Sequence, residues 1–357
     1  MEQIKTNRAV LFSMCVAVFV AFAINVQSAQ NPPLKLIQSI PVPGLEGGKF
    51  DHFGVDLKGN RLFSTFEAQG THGSVEVFDM RTNKHIQSIG KGVLQQPHSL
   101  LYREDLDRIY VTDGNHQIGA VRIYDGKSYR LIKSLDLTPL TDWRGYDPVT
   151  KFLYVNGNGR EFKKPFSTVS VIDTTAGEVV ATITVDDDKI TDFALETSNS
   201  NMYTGMRDKN LIGVIDRNTR TVVATWPVTL GDRFGDMALD RGNHRLFVIC
   251  RFGKMVIFDT QTGKELQALP INQYAHDLTY DAGSKRLYVT AAGAKGVGHA
   301  SVEVFKQIDP DHYRSLGKVP TGFGARNGIL VPEINRFFVS VPKHESTDAR
   351  ILVFAVQ

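Results

Sequence analysis

Histidine, arginine and aspartate recur at a regular interval along this 357-residue chain, and they are the side chains with which it could do chemistry. One set falls between short β-prone runs, one residue per repeat: His72, His116, Arg160, Arg207, Arg251, His299 and His344. A second set opens the apolar runs that begin each repeat: Asp51-His52, His98-Ser99, Asp142-Trp143-Arg144, Thr191-Asp192, Gly235-Asp236, His276-Asp277 and Arg326-Asn327. Seven of the ten histidines belong to these two sets, and only His85, His244 and His312 fall elsewhere. Imidazole and carboxylate converging from different repeats suit a divalent metal, zinc-, copper- or calcium-like according to the mix. The candidate ligands are His52, His98, Asp192, Asp236, His276 and Asp277. Guanidinium is the preferred fork for carboxylate or phosphate. Arg144, Arg160, Arg207, Arg251 and Arg326, beside the imidazoles, therefore form a candidate site for an anionic small molecule or a peptide carboxylate, acting through a collective potential. A structural role competes with both: Asp192, Asp236 and Asp277 occupy matching repeat positions, where carboxylates could accept backbone N–H groups.

Local catalytic signatures are absent from the sequence. There is no Gly-x-Ser-x-Gly elbow, no His-Glu-x-x-His, no Gly-rich phosphate loop opening a helix, and no Cys-x-x-Cys-His for haem attachment. The Gly-rich stretch Gly293 to Gly298 joins two strands and is expected as a rim loop. Glu67, Glu161 and Glu345 fall near the same loops and could act as acid or base beside His72 or His344. Trp143 could cover a ligand or fill a packing position.

The elements that must position these residues follow from a repeat. Arg61-Leu62-Phe63, Arg108-Ile109-Tyr110-Val111-Thr112, Phe152-Leu153-Tyr154-Val155, Asn201-Met202-Tyr203-Thr204, Arg245-Leu246-Phe247-Val248, Arg286-Leu287-Tyr288-Val289-Thr290 and Arg336-Phe337-Phe338-Val339 are versions of one unit. Their aromatic anchors are spaced by 47, 44, 49, 44, 41 and 50 residues. That period, built of short strands and turns, predicts an all-β, seven-bladed β-propeller of four-stranded antiparallel blades. Blade 1 is expected as 52–57, 61–66, 74–79 and 85–90. Turns rich in Asn, Asp, Gly and Ser follow each inner strand, as hairpins require. Third strands such as Val75-Glu76-Val77-Phe78-Asp79 and Val169-Ser170-Val171-Ile172-Asp173 alternate regularly. The seventh repeat stops after its third strand, Ile351 to Val356, so residues 34–42 are expected to supply the missing outer strand and close the ring. In this topology the loops between second and third strands, and the crossovers between blades, share one face. Both chemical sets therefore surround one mouth of the channel.

The Tyr-Val-Thr motifs at 110–112 and 288–290, with Asp259-Thr-Gln-Thr-Gly-Lys-Glu265, resemble the YVTN-repeat β-propeller family over essentially the whole mature chain. The resemblance implies the fold. For function it implies an exported binding or scaffold protein, a lactonase-like enzyme or an electron-transfer dehydrogenase subunit, and it carries no catalytic motif onto particular residues.

Lys5 and Arg8, the apolar run Ala9 to Ile24 and the small-residue stretch to Ala29 describe a signal peptide over 1–28. Sixteen residues fall short of the roughly 20 that a spanning helix needs. Cys15 lies inside that run, so the propeller over 30–357 holds one cysteine, Cys250, expected as a buried thiol in a strand. Loss of Glu2, Lys5 and Arg8 takes the net charge from +3 to +2, which gives no support for nucleic acid as a partner. The expectation is a periplasmic or secreted module, working as a monomer, with no membrane span after cleavage. It would engage a small molecule or protein at the His/Arg-rich mouth. The alternatives are a metal-assisted lactonase-like hydrolase or isomerase in the central funnel and an electron-transfer subunit; a divalent metal is the one cofactor the residues suggest.

Overall fold

Apolar alternation resolves into strands that bury both of their faces. In the third strand of the first blade, Val75, Val77 and Phe78 are buried completely or nearly so, and so are the polar Ser74 and Glu76 between them. A computed structural model describes residues 31–70, 72–292 and 299–357. The expected signal peptide with Cys15, the Gly293–Gly298 loop and the Glu161 side chain lie outside the described residues. Seven four-stranded antiparallel sheets follow one another as blades, forming the propeller that the repeat predicts. No helix among the described residues is long and apolar enough to cross a membrane.

The inner strands, in blade order, are Gly48–Asp56, Pro97–Arg103, Arg144–Tyr146, Ile190–Leu195, Phe234–Asp240, Ala275–Asp281 and Asn327–Val331. Among the described residues, seven apolar clusters hold the blades together, each shared by two neighbours. The anchor aromatics Phe63, Tyr110, Tyr154, Tyr203, Phe247, Tyr288 and Phe338 are all buried. The last blade takes its fourth strand from the N-terminal segment Leu34–Pro41, which pairs antiparallel with Arg350–Val356. Ile40 and Val42 then pack with Phe50, Phe53, Ile351 and Val353 in the cluster that joins the last blade to the first.

Turn chemistry is repeated as faithfully as the strands. Asn60, Asp107, Lys151, His244, Lys285 and Asn335, one in each inner-to-second turn of six blades, take the left-handed backbone conformation that Asn and Asp tolerate best. In the first six blades an aspartate ends the third strand and caps the next turn: Asp79 Oδ1 accepts the N–H groups of Arg81 and Thr82 at 2.8 and 2.7 Å. Asp125, Asp173, Asp216, Asp259 and Asp309 do the same.

One feature departs from the sequence reading and matters for the site. In blade 1 the inner strand begins at Gly48 and not near His52, and it carries a β-bulge. Phe50 pairs with Phe66 and Phe53 with Ser64, so Asp51 and His52 together oppose the single residue Thr65. The same shift falls at His98-Ser99, Thr191-Asp192, Gly235-Asp236 and His276. A bulge leaves its extra residue out of the ladder and re-aims the side chains there. Five blades thus present their chemical residues from bulges, mid-strand in blade 1 and at the second or third residue of the inner strand in the other four. The Thr of the Tyr-Val-Thr motif sits opposite: Thr112 Oγ1 accepts the Ser99 N–H at 2.8 Å and fixes the bulge.

Candidate functional site

The bulges bring His52, Asp236, His276 and Asp277 together in the channel, with one ligand-capable atom from each lying within 4.8 Å of the others. Trp143 fills the space beside them. Its indole stacks on His276 with centroids 5.4 Å apart and approaches His52 at 4.7 Å. The ring is buried, so its role is packing the channel axis around the two imidazoles. A cavity of about 200 Å³ adjoins the group, lined among others by His52, Trp143, Arg144, Asp192, Asp236 and Asp277.

The three recurring aspartates do act on backbone. Asp192 Oδ2 accepts the Met237 N–H at 3.0 Å, Asp236 Oδ2 the Leu278 N–H at 3.3 Å and Asp277 Oδ2 the Gly328 N–H at 3.1 Å. Each carboxylate reaches the inner strand of the next blade, so one oxygen ties adjacent blades together. Burial pushes the Asp192 carboxyl up to about 6, with Asp277 adding repulsion. Burial, followed by the Asp277 and Asp192 carboxylates, holds Asp236 well above the ordinary carboxylate range. His276 goes the other way: burial, then the charge of Arg326, lowers it to about 4 and keeps the imidazole neutral.

His98 stands apart in a second group with Asp51 and Glu67. Its Nε2 reaches the Gly114 carbonyl at 2.9 Å, and its Nδ1 lies 3.1 Å from Asp51 Oδ2 and 3.2 Å from Glu67 Oε1. Burial alone would lower its pKa, but the carboxylates of Asp142, Asp51 and Glu67 overcome that and hold it well above the ordinary value. Arg326 braces the same carboxylates at 3.2 and 3.7 Å, and Lys49 meets Glu67 at 2.9 Å. This is a charge-paired network, and Glu67 serves His98 in it, not His72.

The basic residues divide as sharply. Arg160 is neutralised by Asp188 and Asp208. Arg144 lies inside the channel, its Nε buried without a hydrogen-bond partner, and burial lowers its pKa to about 10 against the pull of Asp192. Arg207 and Arg251 are half-buried and form no ion pair among the described residues. Burial depresses both, and neighbouring guanidinium groups depress them further: Arg251, Arg233 and Arg160 for Arg207, and Arg326 for Arg251. Lys189, which the sequence reading passed over, joins them. Its carbonyl accepts the Arg207 N–H at 2.9 Å, and burial followed by Arg207 lowers its ammonium. A lysine just ahead of an apolar run carries no local signal, so only the fold reveals it.

The remaining histidines do not converge. His72 is exposed and bonds Gln95 at 2.9 Å beside a groove of about 850 Å³. His116 and His299 lie on exposed loops of other blades. His344 packs on Phe323 with ring centroids 4.2 Å apart. Cys250 is buried in the cluster between blades 4 and 5, and burial pushes its thiol up to about 12.

No family model matches the chain, and no curated protein matches it. Solved structures do. The chain is similar to hydrazine synthase of Kuenenia stuttgartiensis, with a TM-score of 0.69 and 18% identity over 88% of this chain and 97% of that one. It is also similar to a chain of the mitotic checkpoint complex, with a TM-score of 0.71 and 12% identity over 98% and 99% of the two chains. Both matched chains are seven-bladed propellers. At these identities the likeness shows the fold alone.

Proposed function

We propose that this chain is an exported propeller of the YVTN-repeat type that binds an anionic small molecule or a peptide carboxylate. The ligand would sit at the mouth bearing Lys189, Arg207 and Arg251. The observation that carries this reading is the crowding of positive charge: three half-buried cations with no ion-pair partner among the described residues, each depressed by burial and a neighbouring guanidinium, against a partial pull from Asp142 on Lys189 and Arg251. Desolvated like charges are costly to hold together, and an anion relieves that cost. Guanidinium and ammonium groups on separate blades would address a carboxylate or phosphate from several sides, and the rigid ring keeps the site pre-formed. Export is supported by the pattern Lys5 to Ala29 and places the protein in the periplasm or outside the cell.

Titration calorimetry with citrate, inorganic phosphate, and one peptide in free-carboxylate and amidated forms tests the reading. Saturable binding of at least one free anion, weakened by added salt and by Arg207→Gln, is expected. No saturable binding, or binding indifferent to Arg207→Gln and to amidation, would overturn it.

A further inference from the structure

We infer that His52, Asp236 and His276, supported by Asp277, form a binding site for a first-row divalent cation of the zinc class at the centre of the channel. The site requires none of Lys189, Arg207 and Arg251, so it stands independently of the anion reading.

Convergence is the first observation. Four side chains from the inner strands of blades 1, 5 and 6 bring ligand-capable atoms within 4.8 Å of one another. The second is that two polar atoms of this group lack a hydrogen-bond partner among the described residues. Asp236 Oδ1 and His52 Nε2 are buried without a hydrogen-bond partner, and Asp236 is only 8% exposed. The Asp51 oxygen near His52 Nε2 stands off at 3.6 Å. Buried polar atoms are almost always satisfied, so two orphans within one cluster of ligand-capable side chains call for a ligand.

The third observation is the setting of His276. Its Nδ1 is committed to Asp277 Oδ1 at 2.9 Å, and that carboxylate is itself held by Asn327 Nδ2 at 3.0 Å and the Gly328 N–H at 3.1 Å. A carboxylate fixed by backbone and bonded to one imidazole nitrogen sets the tautomer and offers the other nitrogen to a metal. Here that nitrogen is Nε2.

Charge agrees with geometry. Asp192, Asp236 and Asp277 share the channel lining, and Arg144 is the one cation among the residues lining that cavity. Arg326 is occupied by Asp51 and Glu67. Two imidazoles with carboxylate oxygen select zinc, iron(II) or their neighbours over calcium and magnesium, which take oxygen ligands. The Asp51–Glu67–His98 group shows what fails this test. Its atoms converge as closely, but both His98 nitrogens and both carboxylates already meet protein partners.

The test uses untagged protein stripped with chelator and dialysed against Zn(II), with Ca(II) in parallel. Metal content is read by elemental analysis and Trp143 emission by fluorescence. One zinc per chain with a dissociation constant in the micromolar range or tighter, and no competing uptake of calcium, is expected. Asp236→Asn keeps an oxygen for the Leu278 N–H and should weaken zinc at least tenfold, while Asp277→Asn should weaken it roughly 10–100-fold. Circular dichroism and melting confirm the fold of each variant. Should Asp236→Asn not fold, His52→Gln carries the test, because its ring makes no short hydrogen bond. Absence of stoichiometric zinc, preference for calcium, or full zinc affinity in both Asp236→Asn and His52→Gln would overturn the assignment.

Discussion

Replacing Arg251 by glutamine should stabilise the propeller and weaken its ligand at the same time. The side chain is half-buried, forms no ion pair among the described residues, and holds its Nε in a dry position without an acceptor. An unsatisfied buried donor costs about 1–3 kcal/mol. Repulsion from Arg326 adds to that cost, and the attraction of Asp142, Asp236 and Asp51 offsets part of it. Glutamine retains much of the stem, removes the charge and returns a stabilisation of about 1–3 kcal/mol. Unfolding entropy of about 2.1 cal/mol/K per residue sums to about 0.7 kcal/mol/K for a ring of this size, so the melting midpoint should rise by about 1.5–4.5 °C. The bound anion loses a charge-assisted hydrogen bond worth about 1.5–3 kcal/mol, or about 10–150-fold in affinity.

Differential scanning calorimetry and titration calorimetry on the same preparation read the two effects. Salt supplies an internal control, because raising it from about 0.15 to 1 M shortens the screening length from about 8 to 3 Å. Wild type should therefore gain more in midpoint than the variant. A midpoint lowered by more than about 2 °C would make Arg251 a brace of the fold. An unchanged anion affinity would remove it from the site. Either result refutes the reasoning, since stored repulsion and ligand recognition are assigned to the same side chain.

Three further outcomes follow from other parts of the ring. Ile40→Ala in the closing strand removes a buried side chain from the cluster joining the last blade to the first, and should cost about 2–5 kcal/mol, or about 3–7 °C in the midpoint. A midpoint within 1 °C of wild type would mean that the seam contributes little to closure. His98 has a folded pKa well above its ordinary value of about 6.5, so its stabilisation is complete below that value and is lost as pH rises through the folded pKa. Melting from pH 6 to 10 should fall more steeply in wild type than in His98→Gln, and parallel curves would contradict the charged-network assignment. Cys250, with its thiol pushed up to about 12 and buried, should resist iodoacetamide at pH 8 in the native protein and react once urea unfolds it; rapid native labelling would show that the seam between blades 4 and 5 opens.

The repeat made the fold legible because propeller blades are local objects. Each turn signal, from Asn60 to Asn335, lies within a few residues of the strands it joins, and each buried anchor from Phe63 to Phe338 recurs in register. Even the closing strand could be inferred, since a seventh blade one strand short implies a donor elsewhere in the chain. The site was legible only as a list. Loop membership put His72, His116, His299 and His344 beside His52, His98 and His276, but the first four stay on separate exposed loops of the rim. What separates the two sets is the bulge, and a bulge leaves a faint trace in sequence: one extra residue that interrupts alternation for two positions. In blade 1 the alternation predicts a strand beginning at His52, whereas the strand starts at Gly48 and Asp51-His52 bend within it. That difference has a chemical consequence. Residues at a strand's start are free to follow solvent, whereas residues at a bulge are held by the paired ladder on either side, and at Ser99 and His52 also by Thr112 and Thr65. Fixed in that way, Asp236 and His52 cannot turn aside to satisfy their orphan atoms within the protein, and this rigidity makes the centre of the channel a place for a ligand.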